Sequence, residues 1–446
     1  MRGIKKVITT VTAALVSVGM LAACGSGNAG GADEGLGTAD KPVSIDFWAW
    51  QPVEDQWKPI IAEWEKENPN IKINLWRNAD QAEYEKKLRT AIASGEGPDV
   101  FALNSGSMVT QYGKFADDMA KLSDQYMKGW KDNVSSTAID QMTDKDGKLV
   151  GMPTLLTGQE YLLYNETFLK ELGITEMPKT YDELVKICKQ LKAKGLVPIA
   201  YGAKDIWHLV DLFVYLSNEF GEGDIYKAED GKMKFTDETF VKTMKAWKQM
   251  ADDQIFEDGA VGVPTYPDTN DNYFAERKTP FLASGSWHSS MVVIPEGMPG
   301  LTGKIANDTL GMIEFPQVGP IHSGPTTGVD YALTVNKDSK RKEASMKFIE
   351  FMTTGKGQTL WTNMLQGSPV YTKAKVELRK DITETQRESV EMVNKTQSES
   401  KLTRKLKYAD LENEIGVQMQ NVYTGQSSVE DALASIEKVN ESVDRG

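Results

Sequence analysis

Ten residues of this chain have the right types to hold a ligand by stacking and hydrogen bonding: Trp50 and Gln51, Asn104 and Ser105, Asp205, Trp207 and His208, Trp287 and His288, and Asp330. Flat aromatic faces pack against the apolar CH faces of a sugar ring, and amides, hydroxyls and carboxylates take up its hydroxyl groups. That combination suits a neutral carbohydrate. A single tryptophan is more often core than ligand platform, so the reading rests on Trp50, Trp207 and Trp287 all falling just past strands. For covalent chemistry the inventory is thin. The sequence has no G-x-S-x-G elbow, no phosphate-cradling glycine loop and no His-Glu-x-x-His. Its three histidines, at 208, 288 and 322, show no clustered metal-ligand spacing, so no metal or cofactor is expected. Acidic residues are numerous enough to leave open a carboxylate pair suited to glycoside hydrolysis. A tethered glycosidase is therefore the alternative to a binding protein, and a peptide or polyamine is the alternative ligand.

These residues must be positioned by the elements that precede them. Ile45 and Phe47 alternate with polar neighbours in a strand from Val43 that runs out at Trp50-Gln51-Pro52. Trp57, Ile60, Ile61 and Trp64 recur at helical spacing until Asn68-Pro69; Ile71, Ile73 and Leu75 alternate again. Tyr84, Leu88 and Ile92 mark a second helix ended by Gly95, and a third strand, Asp99 to Leu103, delivers Asn104 and Ser105. Strand and helix alternating at this length predict βαβ units on a parallel sheet, whose ligands sit outside the carboxyl ends of the strands.

A second α/β body begins after Gly151-Met-Pro153. Tyr161 to Tyr164 reads as a strand, and Thr180-Tyr-Asp-Glu183 as a capping box opening a helix through Leu184, Ile187 and Leu191. Val197 to Tyr201 is the strand before Gly202–His208, and Phe281-Leu-Ala the strand before Gly285-Ser-Trp287-His288. Gly311 to Phe315 is a further strand, followed by a glycine-rich crossing over 324–331 and a strand from Ala332 to Val335. Residues 383–443 are polar with helical spacing, read as two helices separated by Gly425. Asp144-Lys-Asp146-Gly147 resembles the start of a calcium loop, but Leu155 occupies its twelfth position, so a hairpin turn is the better reading. Asp230-Gly231 reads the same way.

The chain has 446 residues, long enough for two domains, and a formal net charge of −13 that gives it no electrostatic reason to bind nucleic acid. Arg2, Lys5 and Lys6 precede an apolar run from Val7 to Leu21, too short to span a bilayer comfortably. Leu21-Ala22-Ala23-Cys24 resembles the lipobox of bacterial lipoproteins, which makes residues 1–23 a signal peptide and Cys24 the lipidated N-terminus. Residues 24–42 are then a glycine-rich flexible tether. Only Cys188 remains afterwards, so no intrachain disulfide is expected; its helical setting makes it a small buried apolar residue.

With the lipobox come Gly97-Pro98-Asp99-Val100, Tyr164-Asn165-Glu-Thr-Phe with Pro178-Lys-Thr180-Tyr-Asp-Glu183-Leu, Gly285-Ser-Trp287, and Ser339-Lys-Arg-Lys-Glu-Ala344 running into Phe348. In this order the motifs resemble family 1 extracellular solute-binding proteins of carbohydrate ABC importers, over about residues 43 to 440 of the chain. The resemblance implies the α/β type II periplasmic-binding-protein fold, with two domains, a hinge and a central cleft. It implies crossings near Leu155–Gly158, Gln317–Val329 and Ser368–Thr372, giving residues 43–156 plus 325–370 as one domain and 157–324 plus 371–446 as the other. In maltose-binding relatives an aromatic matching Trp287 stacks on a sugar ring, and loops matching Asn104-Ser105 and Gly202–His208 supply contacts; where those relatives carry a charged contact after the third strand, this chain has Gly106. The expected role is capture of an oligosaccharide, without catalysis, and its delivery to the permease subunits of an ABC transporter. The expected setting is a monomer held by its lipid on the outer face of a Gram-positive cell membrane.

Overall fold

Val43, Ile45, Phe47 and Ala49 are buried while the residues between them reach solvent or lie partly covered, the alternation that makes β1 (Val43–Ala49) a strand with one fully packed face. The computed structural model describes residues 33–445, and the chain from Asp33 onward forms one compact unit. Cys24, the leader and the start of the glycine-rich stretch lie outside the described residues. After β1 come β2 (Ile71–Arg77), β3 (Val100–Leu103), β4 (Met152–Gln159) and β5 (Tyr161–Asn165). They are followed by β6 (Ile199–Ala200), β7 (Phe281–Ser284), β8 (Leu310–Glu314), β9 (Thr326–Val335) and β10 (Ser368–Pro369).

Two sheets result, a six-stranded one in the order β10-β4-β9-β3-β1-β2 and a four-stranded one in the order β6-β7-β5-β8. Each has its own core, and the second sheet packs a further cluster that includes Tyr161, Leu163, Leu282 and Met312. Phe47, Trp64, Leu103, Leu333 and Phe348 pack on the first sheet, with the Phe47 and Phe348 rings edge to face at 5.2 Å. Leu162, Leu209, Phe213, Trp247 and Ile415 pack on the second. Helix Ile206–Phe220 is buried without a break from His208 to Glu219, and each large apolar side chain fully buried there contributes about 1.5–3 kcal/mol. The chain passes from the first sheet to the second between β4 and β5, returns between β8 and β9, and leaves again after β10.

Several expectations need correcting. The sheet is parallel only across β2, β1 and β3; β9 runs antiparallel to both β3 and β4, and the second sheet is antiparallel except for β6 on β7. Strands that return directly from the other body arrive in the opposite sense, which the βαβ pattern cannot announce. The glycine-rich crossing is shorter than expected, because Gly328 lies inside β9, paired with Thr157. Asp230-Gly231 makes no hairpin. It ends helix Asp224–Glu229, with Gly231 at φ +73° and its N–H on Ala228 O. By contrast, Asp144–Gly147 is the tight turn expected, closed by a Thr143–Leu149 bridge. Beyond β10 lie three helices, not two: Glu384–Glu399, Ala409–Tyr423 and Val429–Ser442.

The tether also ends earlier than position 42. Glu34 N donates to Lys340 O at 2.8 Å, Arg341 Nε meets the Glu34 carboxylate at 3.0 Å, and Asn70 Nδ2 donates to Leu36 O at 3.0 Å. Leu36 packs against the first core. Glycine content alone suggested a coil, but Asp33, Glu34 and Leu36 supply the polar and apolar anchors that fix it.

Candidate functional site

The first wall is built at the carboxyl ends of β1 and β3. Trp50 keeps only 7% of its surface exposed, held edge to face between Tyr84 and Tyr331, each at 5.3 Å. Tyr84 Oη donates to Ala102 O at 2.8 Å and Tyr331 Oη donates to Gln51 O at 2.7 Å, so the phenols lock the two strand ends together. Ser105 is buried and donates from both its amide and its hydroxyl to Val329 O. Asn104 is buried beside it. Gln51 Oε1 and Arg77 Nε are buried without a partner among the described residues. Gly106 follows at φ +78°, and a Cβ there would overlap Leu406 O, which is why no charged side chain can stand after the third strand in this chain.

The second wall is aromatic. Trp207 sits in the first turn of helix Ile206–Phe220, whose capping residue Asp205 accepts the Thr265 amide at 2.7 Å. Gly202, at φ +74°, would place a Cβ 2.6 Å from Thr265 Cα, so glycine is required where these loops cross. Behind Trp207 runs a stack into the core: His208 at 5.0 Å, Tyr201 at 4.3 Å beyond it and Phe256 at 4.6 Å beyond that. Tyr266 lies nearly parallel to Trp207, 11° off with centroids 6.5 Å apart, and Trp287 stands across them at 63°. Trp287 Nε1 donates to Tyr266 Oη at 2.5 Å. Gly285 lets the Trp287 ring fold back over its own backbone, since a Cβ there would overlap the indole. Tyr266 keeps 42% of its surface exposed, yet crowding by the surrounding protein pushes its phenol up to about 12.

Both histidines are buried. Burial pushes His208 down to about 3 and His288 down to about 4, so both are neutral near pH 7. His208 Nδ1 meets Thr265 Oγ1 at 3.2 Å, and because that hydroxyl donates to Gly202 O, the imidazole is the donor and Nε2 is left unprotonated and without a partner among the described residues. His288 Nδ1 lies 2.5 Å from Ser284 Oγ. The two imidazoles back the aromatic wall and are not part of its open face.

At the floor lies Arg404. Its Nε and Nη2 donate to Asp211 Oδ2 at 3.0 and 2.8 Å, and its Nη1 donates to Thr157 Oγ1 at 2.5 Å and to Asp330 Oδ1 at 3.0 Å. Burial alone would lower the guanidinium's pKa, but Asp211 and Asp330 more than offset it and hold the group charged. The Trp287 ring lies over the guanidinium at 5.0 Å. Lys405 joins Asp211 at 3.3 Å and approaches the Trp207 ring at 5.8 Å. The structure thus gathers Trp207 and Trp287, with Asp330 reached through Arg404; Asp205, His208 and His288 brace them, and Trp50, Gln51, Asn104 and Ser105 belong to the first wall.

Asp211, Tyr266, Arg404 and Lys405 were not among the ten. Asp211 was findable, because a lone carboxylate inside the apolar run Leu209–Leu216 must have a partner. Arg404 and Lys405 stand in a polar stretch that gives no such signal. Glu160 is fully buried behind the aromatic wall, beside Gln159, and burial, with Asp211 adding to it, raises its pKa well above the usual carboxylate range. A separate groove of about 820 Å³ lies between helix Glu54–Glu67 and the loops at 293–299 and 377–379. None of the ten residues lines it.

A family model described as bacterial extracellular solute-binding protein matches residues 50–359. The chain is 26% identical over 84% of its length to the multiple sugar-binding protein of Streptococcus mutans, covering 84% of that protein. It is 25% identical over 75% of its length to the diacetylchitobiose binding protein DasA of Streptomyces coelicolor, again covering 75%. Among solved structures, maltose-bound MalE3 of T. maritima superposes with a TM-score of 0.73 at 20% identity, over 90% of this chain and 99% of that one. A chitin oligosaccharide binding protein gives 0.72 at 21%, over 89% and 98%.

Proposed function

Because the chain belongs to the family of bacterial extracellular solute-binding proteins, we propose that it captures an oligosaccharide between its two walls and hands it unchanged to the permease subunits of an ABC importer. The observation that carries this reading is the Trp207–Tyr266–Trp287 group, three aromatic rings on one wall with polar side chains at their edges. Relatives named for multiple sugars, diacetylchitobiose and arabinooligosaccharides support the same ligand class. A cationic ligand such as a polyamine is disfavoured, since Arg404 and Lys405 already lie over the Trp287 and Trp207 rings. A hydrolytic role is disfavoured too: Asp211 and Asp330 are both engaged by Arg404, and Glu160 is sealed from the cleft.

On this reading residues 43–156 with 325–370 form one lobe and 157–324 with 371–446 the other, the chain acts as a monomer, and Cys24 carries the lipid that holds it to the outer face of a Gram-positive membrane. Calorimetric titration against maltotriose, xylotriose, chitobiose and stachyose, followed by chromatography of the recovered sugar, tests the function. Binding of at least one with intact recovery is expected; cleavage products, or heat only from peptides or polyamines, would overturn it. For the anchor, Cys24→Ala is expected to release a folded chain from the membrane fraction. Retention of that variant after a high-salt wash would refute lipidation.

A further inference from the structure

Residues 402–407 are tied to both sheets' surroundings at once. Thr327 N, in β9, donates to Leu402 O at 2.8 Å, and Arg404 N donates back to Thr327 O at 3.2 Å. On the other side Tyr226 Oη donates to Thr403 O at 2.7 Å, Lys407 N donates to the Glu229 carboxylate, and Leu406 is buried in the second core. The same segment abuts the loop after β3, where Gly106 makes room for Leu406 O.

Arg404 concentrates these ties in one side chain. Its planar fork reaches Asp211 on helix Ile206–Phe220, which packs in the second core, and also Thr157 on β4 and Asp330 on β9, two strands of the first sheet. Its face carries Trp287. Ser286, next to that tryptophan, accepts the Gly158 amide of β4 at 3.0 Å, so the ring's backbone is fixed to the same crossing.

We propose that residues 402–407 are a strap across the crossing strands and that Arg404 is the positioning residue of the sugar site, fixing the plane of Trp287 and holding the second lobe's wall against β4 and β9. This rests on the reading of Trp287 as a sugar platform, but the tie itself needs no ligand. Arg404 acts through Trp287 and the lobe geometry. Lysine cannot replace it, because an ammonium, although it has three donors, has no planar fork with one edge for Asp211 and another for Thr157 and Asp330, and no flat face for Trp287.

The test uses the full chain with Arg404→Gln, Arg404→Lys and the double variant Arg404→Gln/Asp211→Asn, which removes a buried carboxylate together with its partner. Trp287 quenching by acrylamide, obtained by difference from the matching Trp287→Phe proteins, and small-angle scattering are both read without sugar. Greater quenching of Trp287 and a larger radius of gyration are expected in all three. For whichever of the four test sugars the wild type binds, affinity should fall about tenfold, within the range of coupling energies between sites. A folded double variant with wild-type quenching and radius overturns the proposal. Should the double variant fail to fold, Thr157→Val removes one arm and leaves both ion pairs in place; a smaller shift in the same direction supports the strap, and no shift refutes it. Altered quenching and radius in the variants, with a wild type that gives heat only from peptides or polyamines, would keep the strap and reject the sugar reading.

Discussion

Trp287 is the side chain whose loss should separate binding from packing most cleanly. Its indole is part-exposed, donates to Tyr266 and covers a guanidinium that is itself held by two carboxylates and a hydroxyl. Trp287→Ala is expected to weaken sugar binding by about 1–3 kcal/mol, the scale of one buried apolar side chain, while the unfolding midpoint moves little. Equal loss in midpoint with affinity unchanged, read by calorimetry and thermal melts on one preparation, would assign the ring to packing. Burial also places the two site histidines behind the aromatic rings. Residue type and spacing suggest that His208 and His288 face a ligand, but the space behind Trp207 is filled by a ring stack that only tertiary structure reveals.

At the scale of elements, the strands and helices of the first wall were legible because β1 and β2 alternate apolar with polar residues, β3 is a short apolar run after Gly97-Pro98, and the helices carry ordinary stop signals at Asn68-Pro69 and Gly95. What stayed hidden was set by distant partners. Strand β9 runs antiparallel because it enters from the other sheet, and nothing local to Thr326–Val335 records that direction. Arg404 pairs with Asp211 across 193 positions of sequence, beyond the reach of any periodicity. The segment before β1 is likewise held by distant partners, Asn70, Lys340 and Arg341. Removing residues 1–41 should cost more stability than removing residues 1–32, by about 1–3 kcal/mol, since the longer deletion takes away the Leu36 contact and one of the two carboxylates on Arg341, leaving it only Asp99. Equal urea midpoints for the two truncations would show that residues 33–41 contribute nothing to the fold.

For the whole molecule, pH dependence follows from groups buried in the second body. His208 and His288 have folded values of about 3 and about 4 against an ordinary 6.5, so below 6.5 the unfolded chain binds protons that the folded chain does not, and stability falls as pH falls. Burial raises Glu229 and Glu412 to about 7, which makes stability fall as pH rises from about 4.5 to 7. The two trends oppose each other between about 4.5 and 6.5, giving a broad maximum. Below about 4.5 the histidine trend continues, at about 1.4 kcal/mol per pH unit for His208 and fading for His288 as pH nears its folded value of about 4, and carboxylates held low by their partners, such as Asp308 beside Arg277, add to it. His208→Gln with His288→Asn should flatten that acid limb in urea melts at pH 4.5 and 4.0, and an unchanged slope would mean that other groups set it. Motion is the second property at this scale. Ligand contacts from both walls exist together only when the lobes close, so sugar should shift the population toward the closed form. Scattering under saturating sugar should give a smaller radius of gyration, and an unchanged radius would rule out clamshell closure.

The position of Arg404 in the chain has a consequence for how the receptor comes into being. The first wall is complete once β9 has paired with β3 and β4, and the aromatic wall once Trp287 has emerged, but the floor beneath both arrives only with residues 404 and 405. Helices Ala409–Tyr423 and Val429–Ser442, which supply Leu411, Ile415 and Ile436 to the second core, come later still, so the floor of the site and the closure of that core are built by the same end of the chain. The cation beneath the aromatic wall and the last helices of the second core therefore depend on one C-terminal stretch, and a chain that ends before residue 404 lacks both.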